Sequence, residues 1–320
     1  MLEKITQPYQ NPIVPERADP WIHKHTDGYY YFTGSVPGYQ EIELRRSRDL
    51  NGLGNGEVAT VWRAHEKGPM SQLVWAPEIH FLQGKWYIYF AASDSATCRD
   101  ANQHHRMFVL ENENENPLEG TWVEKGQVVT HQESFSLDGT VFTHNQELYY
   151  LWAQLEPRIP GNSNLYLSKM ENPWTLKGKT LLLSIPEFDW EKVIYKVNEG
   201  AAAIIRNGKV FITYSASATD ENYCMGLLWA QADSDLLDGY SWNKSPVPVF
   251  KSSEANSQYG PGHNSFTVSE DGERDILVYH ARPQKNELGN PLDNPDRHAR
   301  VQRFEWSADG FPIFGIPVAD

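Results

Sequence analysis

A pattern that recurs five times along the chain restricts the fold more than any other feature of the sequence. Aromatic or β-branched runs are centred on Tyr31, Tyr89, Leu151, Thr213 and Tyr279, at intervals of 58, 62, 62 and 66 residues. A turn signal containing Gly, Asn or Asp precedes each run, and these residues tolerate the positive φ of tight hairpin turns. Since radial repetition protects the edges of small sheets, the repeat predicts an all-β fold, a five-bladed β-propeller with four strands in each blade.

Five units of about 60 residues exceed the shortest propeller repeats, so the surplus is expected in loops. They account for the 320 residues of the sequence, and we expect a single propeller domain over residues 1–320. A helical fold is disfavoured because 23 glycines and 20 prolines interrupt the chain. The alternative is a two-sheet sandwich in which the spacing of the runs is accidental.

Composition narrows the choice of partners. The chain has 28 basic and 42 acidic side chains, a formal net charge of −14. This balance disfavours nucleic acid and anionic membrane surfaces, both of which require Lys and Arg, and favours a neutral ligand. Residues 1–4 lack a following apolar stretch, which predicts a cytoplasmic protein, although a leader removed beforehand leaves no trace. The two cysteines, Cys98 and Cys224, are too few for a disulfide framework.

Charged residues recur where the first strand of each predicted blade begins. The corresponding positions hold Asp19, Ala76, Asp138, Glu199 and His263. The innermost strands of a propeller line its central channel, so these side chains should meet around one axis. Individually each has an ordinary explanation as a turn residue, a strand end or a hydrogen-bonded channel residue. Three carboxylates brought together repel one another and separate their pKa values, and such a group can cleave a glycosidic bond.

Local sequence suggests how the three acids divide the work. Uncharged small residues follow Glu199 at positions 200–204, so desolvation should raise its pKa and keep it protonated as a general acid. Asp19 is a shorter acid close to Arg17 and is expected to stay ionised as a base. Asp138 would then tune the pKa of Glu199 and hold its orientation.

Together these segments resemble glycoside hydrolase family 43 over roughly residues 10–316. The resemblance is carried by residues 16–22 (ERADPWI), 75–80 (WAPEIH), 135–140 (FSLDGT) and 198–200 (NEG). Within the family the sequence is most similar to the exo-acting α-1,5-L-arabinofuranosidases. The resemblance implies a five-bladed propeller and an inverting mechanism with Asp19 as general base, Glu199 as general acid and Asp138 as the pKa-modulating acid. Inversion requires the Asp19 and Glu199 carboxyls to lie roughly 6.5–9.5 Å apart.

The resemblance also implies a substrate and a set of binding residues. The expected reaction is the release of terminal α-L-arabinofuranosyl residues from arabino-oligosaccharides or arabinan side chains, with no cofactor needed for the chemistry. His263 is expected to ligate a hydrated, Ca²⁺-like structural ion in the channel, unless it is simply a hydrogen-bonded histidine. Trp21 and Trp75 are expected to stack on the furanose ring unless they serve blade packing, and Arg282 is expected to bind sugar hydroxyls.

Two other functions remain open from the sequence. Gly139, Gly200 and Ala201 stand where family members often carry bulkier residues or Pro, which leaves the choice between arabinose and xylose undecided. A β-xylosidase is therefore the enzymatic alternative. A carbohydrate-binding propeller without chemistry is the alternative of another class, and it offers no reason for three acids to be present together.

Overall fold

The computed structural model describes residues 8–96 and 104–320. Within these ranges the regular structure is β, apart from four short 3-10 turns at Asn51–Asn55, Asp189–Glu191, Gly239–Ser241 and Glu254–Asn256. The strands form five antiparallel sheets in chain order, so the predicted five-bladed β-propeller is confirmed. No helix in the described ranges has both the length and the hydropathy needed to span a bilayer. Cys98 lies outside these ranges, while Cys224 is a buried free thiol.

Each of the first four blades contains four strands, which follow one another along the chain from the channel outward. Blade one is β1 (Ala18–Lys24), β2 (Tyr30–Ser35), β3 (Glu41–Ser47) and β4 (Glu57–Arg63). Blade two is β5 (Gln72–Leu82), β6 (Lys85–Ser93), β7 (Arg106–Asn112) and β8 (Val123–Gln127). Blade three is β9 (Ser136–His144), β10 (Glu147–Gln154), β11 (Asn164–Asn172) and β12 (Thr175–Ser184). Blade four is β13 (Asn198–Arg206), β14 (Lys209–Ala216), β15 (Cys224–Gln231) and β16 (Asn243–Lys244).

Blade five differs from the predicted four-stranded unit because its sheet has three strands. These are β17 (Tyr259–Val268), β18 (Asp275–Arg282) and β19 (His298–Arg303), followed by a small hairpin of β20 (Glu305–Trp306) and β21 (Pro312–Ile313). The fourth position is taken by the beginning of the chain. The Ala299 N–H donates to the Val14 carbonyl over 3.0 Å, and the Ile13 N–H donates to the Ala299 carbonyl over 2.9 Å. Backbone hydrogen bonds of Ile13 and Val14 therefore connect the last blade to the segment that leads into the first blade.

The continuous aromatic runs exist because the second strand of each blade is buried on both faces. Successive side chains of a strand point to opposite faces. Tyr31 packs in the apolar cluster between blades one and two, whereas its neighbours Tyr30 and Phe32 pack in the cluster between blades one and five. Along β6, Ile88 faces blade one and Tyr89 faces blade three. Strands buried on both faces read as unbroken apolar runs, which is the feature that made the repeat visible.

The innermost strands β1, β5, β9, β13 and β17 each contact the next, and β17 contacts β1, so they close a ring around the central channel. Two-residue hairpin turns connect β5, β9 and β13 to their second strands, and longer loops connect β1 and β17 to theirs. At the hairpin between β13 and β14, Asn207 and Gly208 have φ of +54° and +71°, as the two central residues of a type I′ turn require. The ring places the beginnings of all five inner strands at the same end of the channel.

Candidate active site

A break in strand pairing occurs at the same place in all five inner strands, and it shapes the site. In each strand the register against the second strand shifts around one residue in the left-handed region of the backbone. These residues are Asp19, Ala76, Asp138, Gly200 and His263, with φ between +44° and +55°. Non-glycine residues rarely adopt positive φ. β-Bulges that redirect side chains are concentrated beside functional sites, and all five bulges lie at one end of this channel.

The bulges correct one detail of the sequence-based alignment. Glu199 was placed at the position of Asp19 and Asp138, but the left-handed residue of blade four is Gly200. Glu199 precedes it and corresponds to Leu137 in blade three, where pairing with the second strand last occurs before the break. A Cβ on Gly200 would lie 3.0 Å from the His263 ring, so close approach favours glycine here, whereas the other four blades hold non-glycine residues at a similar φ. Glu199 therefore leaves the backbone one residue earlier than the two aspartates.

The predicted site residues fall into two groups. Asp19, Asp138, Glu199, His263 and Trp75 all line one cavity of about 1020 Å³ at the end of the channel.

Trp21 and Arg282 do not line this cavity. The Trp21 ring lies against His80, with centroids 4.6 Å apart. The Arg282 side chain is buried, forms ion pairs with Glu287 and Asp296, and also donates to backbone carbonyls. Direct contact with sugar, which the sequence suggested for both residues, finds no support in this geometry.

Asp19 lies in a dense network of polar groups. Its Oδ2 accepts a hydrogen bond of 2.6 Å from the Ser35 hydroxyl. Its Oδ1 lies 3.2 Å from His263 Nδ1 and 3.4 Å from an Arg297 guanidinium nitrogen. Its backbone N–H donates to His280 Nδ1 over 3.1 Å. Both carboxylate oxygens are thus fixed by residues from blades one and five.

This network keeps Asp19 ionised. Burial alone would raise its pKa, but His263, Arg297, His280 and the Ser35 hydroxyl outweigh burial and hold the pKa of Asp19 below its usual range. Burial also lowers the pKa of both imidazoles, so the Arg297 guanidinium is the partner that stays charged at neutral pH.

The cation beside Asp19 is not the one expected from the sequence. Arg17, its near neighbour in the chain, instead forms an ion pair of 3.1 Å with Glu43. Arg297 comes from the segment before β19 and is held by a hydrogen bond of 3.0 Å to the Tyr39 hydroxyl. The expectation that Arg17 keeps Asp19 ionised is wrong, because Glu43 holds the Arg17 guanidinium and the β-bulge at Asp19 redirects its side chain.

Glu199 has the opposite electrostatic character. Its Oε1 accepts a hydrogen bond of 2.9 Å from the Tyr223 hydroxyl. The surroundings raise the pKa of Glu199 to about 7: burial is the largest cause and the negative charge of Asp19 acts in the same direction, while the Tyr223 hydroxyl and Arg297 lower the pKa. Desolvation is the dominant cause, as the uncharged residues that follow Glu199 suggested.

Asp138 connects the other two acids. Its Oδ2 accepts a hydrogen bond of 2.9 Å from the Gly200 N–H, which fixes the backbone beside Glu199. Burial raises the pKa of Asp138 well above its usual range, and the charges of Glu199 and Asp19 raise it further. Two carboxyls in one buried space do not ionise independently, so Asp138 and Glu199 influence each other's protonation.

Aromatic side chains form one wall of the cavity. The partly exposed Trp75 ring stacks on His105, with centroids 3.8 Å apart and ring planes 20° apart. The His105 Nε2–H in turn donates a hydrogen bond of 3.1 Å to the Leu73 carbonyl. The stack fixes the orientation of the indole, so Trp75 offers a rigid flat surface to a ligand.

Sequence reasoning missed Arg297, Tyr223, Tyr39 and Ser35. None of them lies in the four motif segments that indicated the site. No repeat marks them either, because they lie outside the inner strands that carry the three acids. Asp19 and Arg297, for example, are separated by 278 residues.

The described residues contain no cluster of three or more His, Cys, Asp or Glu side chains arranged to hold a metal ion. His263 nevertheless has one unusual feature. Its Nε2 is buried and, among the described residues, has no hydrogen-bond partner. A single imidazole nitrogen facing a polar channel fits an ion that keeps most of its water ligands, and it fits a buried water equally.

A five-bladed propeller with three carboxyls lining one cavity is an arrangement suited to glycosidic bond cleavage. Comparison with known families makes the assignment specific. The family model described as Glycosyl hydrolases family 43 matches residues 9–312, and the chain belongs to this family.

Individual relatives are similar over most of the chain. An enzyme of Streptomyces avermitilis named extracellular exo-α-(1→5)-L-arabinofuranosidase is 55% identical over 98% of this chain. The chain spans only 64% of the length of that relative. An enzyme of the same name from Streptomyces chartreusis is 55% identical over 89% of this chain and 85% of its own length. The crystal structure of an α-L-arabinofuranosidase from Lactobacillus brevis is 54% identical, with a TM-score of 0.95 and 97% of both chains covered.

The names of these relatives overturn one expectation from the sequence. Both Streptomyces enzymes are called extracellular, so the prediction of a cytoplasmic protein is wrong. That prediction relied on residues 1–4, which lie outside the described ranges.

Proposed function

We propose that the protein hydrolyses terminal α-L-arabinofuranosyl residues from α-1,5-linked arabino-oligosaccharides or arabinan side chains, with inversion at the anomeric carbon. One observation carries the proposal: the buried Asp19 and the partly exposed Glu199 line the same cavity, and their surroundings shift their pKa values in opposite directions. One group is ready to accept a proton and the other to donate one. The arabinose specificity is supported by the names of relatives that are 54–55% identical.

Asp19 acts as the general base. Its carboxylate takes a proton from a water molecule while the water oxygen forms a bond to the anomeric carbon. Arg297 supports this role because a permanent cation at 3.4 Å keeps Asp19 ionised in a buried site. The hydrogen bond from Ser35 to Oδ2 holds the carboxylate in one orientation.

Glu199 acts as the general acid. As the bond between the anomeric carbon and the glycosidic oxygen breaks, its electron pair goes to that oxygen, which takes the proton of Glu199. A pKa of about 7 suits this role, since it keeps much of the group protonated near neutral pH. After product release, Glu199 regains a proton from solvent and Asp19 loses one. The separation of 6.5–9.5 Å between their carboxyls stays a prediction of the inverting mechanism.

Asp138 acts on Glu199 rather than on the sugar. Its hydrogen bond to the Gly200 N–H fixes the backbone next to Glu199, and its own negative charge, when present, opposes ionisation of the acid. Trp75 is the proposed stacking surface for the sugar in the cavity, because its ring is held flat by His105.

His263 is the residue that would hold a structural ion, such as a hydrated Ca²⁺, in the channel. Support comes from its buried Nε2, which has no partner among the described residues. Such an ion would add positive charge behind Asp19 and stabilise the ring of inner strands. The hydrolysis as proposed passes through no step that needs it.

The test combines substrates with matched variants. The protein should release L-arabinose from α-1,5-arabinobiose faster than xylose from xylobiose, and NMR should show the β-anomer forming first. Glu199→Ala should lower kcat/KM on arabinobiose by about 10²–10⁴-fold and should lower it less on an aryl arabinoside with a good leaving group. Glu111→Gln, a buried acid on β7 outside the cavity, is the control.

Equal losses on both substrates in Glu199→Ala would refute its role as acid. Preference for xylobiose would indicate a β-xylosidase. Binding of arabino-oligosaccharide without any release of sugar would indicate a carbohydrate-binding propeller.

A further inference from the structure

The loop that leads into β13 carries a strained turn at the edge of the cavity. The Tyr195 N–H donates to the Val193 carbonyl over 2.8 Å, and Ile194 between them has a φ of +65°. A three-residue turn with positive φ at its centre is the rare, strained form of the γ-turn. For a β-branched residue such as Ile194, positive φ is an outlier. Strain of this kind persists only where surrounding contacts impose it, and it is concentrated at binding and active sites.

Neighbouring loops hold the turn from both sides. The Val193 N–H donates to the Ser217 hydroxyl over 3.0 Å, and the Val193 carbonyl accepts a further hydrogen bond of 3.1 Å from the Ala218 N–H. On the other side, the Asn162 N–H donates to the Lys196 carbonyl over 2.9 Å. These bonds connect the turn to blade three and to the far end of β14. The turn is therefore fixed before any ligand arrives.

The turn presents apolar surface to the cavity rather than to the core. Ile194 is 67% exposed and Tyr195 is 53% exposed, and both line the cavity. Because these two side chains are exposed, packing within the described residues does not compensate for the strain. It is accounted for if a ligand covers them.

The position of the turn identifies which part of the ligand it meets. Tyr195 precedes Glu199 by four residues on the same segment, and both line the cavity. Asp19 lies on blade one, where Arg297 and Tyr39 surround it, and blade five stands between it and Glu199 on blade four. In an inverting glycosidase the acid faces the leaving group and the base faces the other side of the cleaved ring. The turn therefore borders the space on the acid's side, which the leaving group occupies.

We propose that Ile194 and Tyr195 form the binding platform for the leaving-group sugar, the arabinofuranosyl ring attached to the oxygen that Glu199 protonates. The inference rests on the proposed function. The C–H face of a furanose packs on an aromatic ring, and tyrosine supplies a large contact area with few rotatable bonds. Because the turn is already rigid, little ordering is required on binding. The platform selects substrates whose leaving group is a sugar.

Two substrates that differ only in the leaving group test this assignment. Arabinobiose has a leaving-group sugar, whereas α-L-arabinofuranosyl fluoride has none. In Tyr195→Ala, kcat/KM for arabinobiose should fall about tenfold, mainly through KM, while kcat/KM for the fluoride should stay within about twofold. Tyr195→Phe keeps the ring and should restore activity on arabinobiose. Tyr240→Ala, which removes a 98% exposed tyrosine from the 3-10 turn Gly239–Ser241, is the matched control.

Ile194→Gly provides a second, independent measurement. It relieves the positive φ, so the melting temperature should rise, and it removes half of the platform, so KM for arabinobiose should increase. The assignment is overturned if Tyr195→Ala lowers activity on both substrates equally or on neither. A wild-type protein that hydrolyses neither substrate would overturn the proposed function, and the platform with it.

Discussion

Replacing Tyr223 by phenylalanine should move the alkaline limb of the pH profile to higher pH. The Tyr223 hydroxyl donates a hydrogen bond of 2.9 Å to Glu199 Oε1, and this bond favours the ionised form of the acid. Tyr223→Phe removes the donor while preserving the ring, which stacks on His280 with the planes 6° apart. The substitution therefore changes the acid's surroundings with little change in packing.

The size of the effect follows from the hydrogen bond. A buried hydrogen bond to a charged group contributes about 1.5–3 kcal/mol, and one pKa unit corresponds to about 1.36 kcal/mol. Losing the bond should raise the pKa of Glu199 from about 7 to about 8–9. The general acid works only when protonated, so activity is lost as the pH rises through this pKa. A higher pKa consequently extends activity towards alkaline pH, even if kcat falls because the carboxyl is less well oriented.

The measurement is the pH dependence of kcat/KM on α-1,5-arabinobiose, which reports ionisation in the free enzyme. Tyr87→Phe is the control, because Tyr87 also donates a buried hydrogen bond to a glutamate, Glu111, but lies outside the cavity. Its alkaline limb should match that of the wild type. An unchanged limb in Tyr223→Phe, or one that moves to lower pH, would refute Glu199 as the acid whose ionisation limits activity.

Three further predictions concern the surroundings of the acids. Arg297→Gln removes the permanent cation beside Asp19, so the pKa values of Asp19 and Glu199 should both rise. The acid and alkaline limbs of the pH dependence of kcat/KM should therefore both move to higher pH. Limbs that stay in place would contradict this account of Asp19. Gly200→Ala places a Cβ 3.0 Å from the His263 ring at a φ of +53°; urea unfolding should show a loss of about 1–3 kcal/mol, and an unchanged midpoint would show that the bulge can relax. If His263 holds an ion, a chelator should lower the melting temperature of the wild type but not that of His263→Ala; equal melting curves of the wild type with and without chelator would exclude a stabilising ion there.

Particular residues show how far the sequence could be interpreted without coordinates. The blades were predictable because strands such as β2 and β6 are buried on both faces and leave unbroken aromatic runs in the sequence. The acids were predictable because Asp19 and Asp138 occupy equivalent positions in two blades. The repeat predicted a fourth strand in blade five, but residues near position 13 pair with β19 in its place.

Other features left no trace in the pattern. The spacing between blades aligned Glu199 with the two aspartates, although Gly200 is the residue at the bulge of blade four. A β-bulge changes the direction of a side chain, and an offset of one residue is too small to detect from the spacing of the blades. Arg17 was the evident cation for Asp19, but its guanidinium binds Glu43. The strained Ile194 has nothing in its local sequence to mark a positive φ, because contacts from two other loops impose it.

The amino-acid sequence by itself determined the number of blades and predicted the three acids that line the cavity, because periodic burial and turn chemistry are local properties that repeat along the chain. Only the tertiary structure decided which neighbours set the ionisation state of each acid. Those states depend on Arg297, Tyr223 and the depth of the cavity, and electrostatic energies depend on distance through space and on exclusion of water, not on separation along the chain.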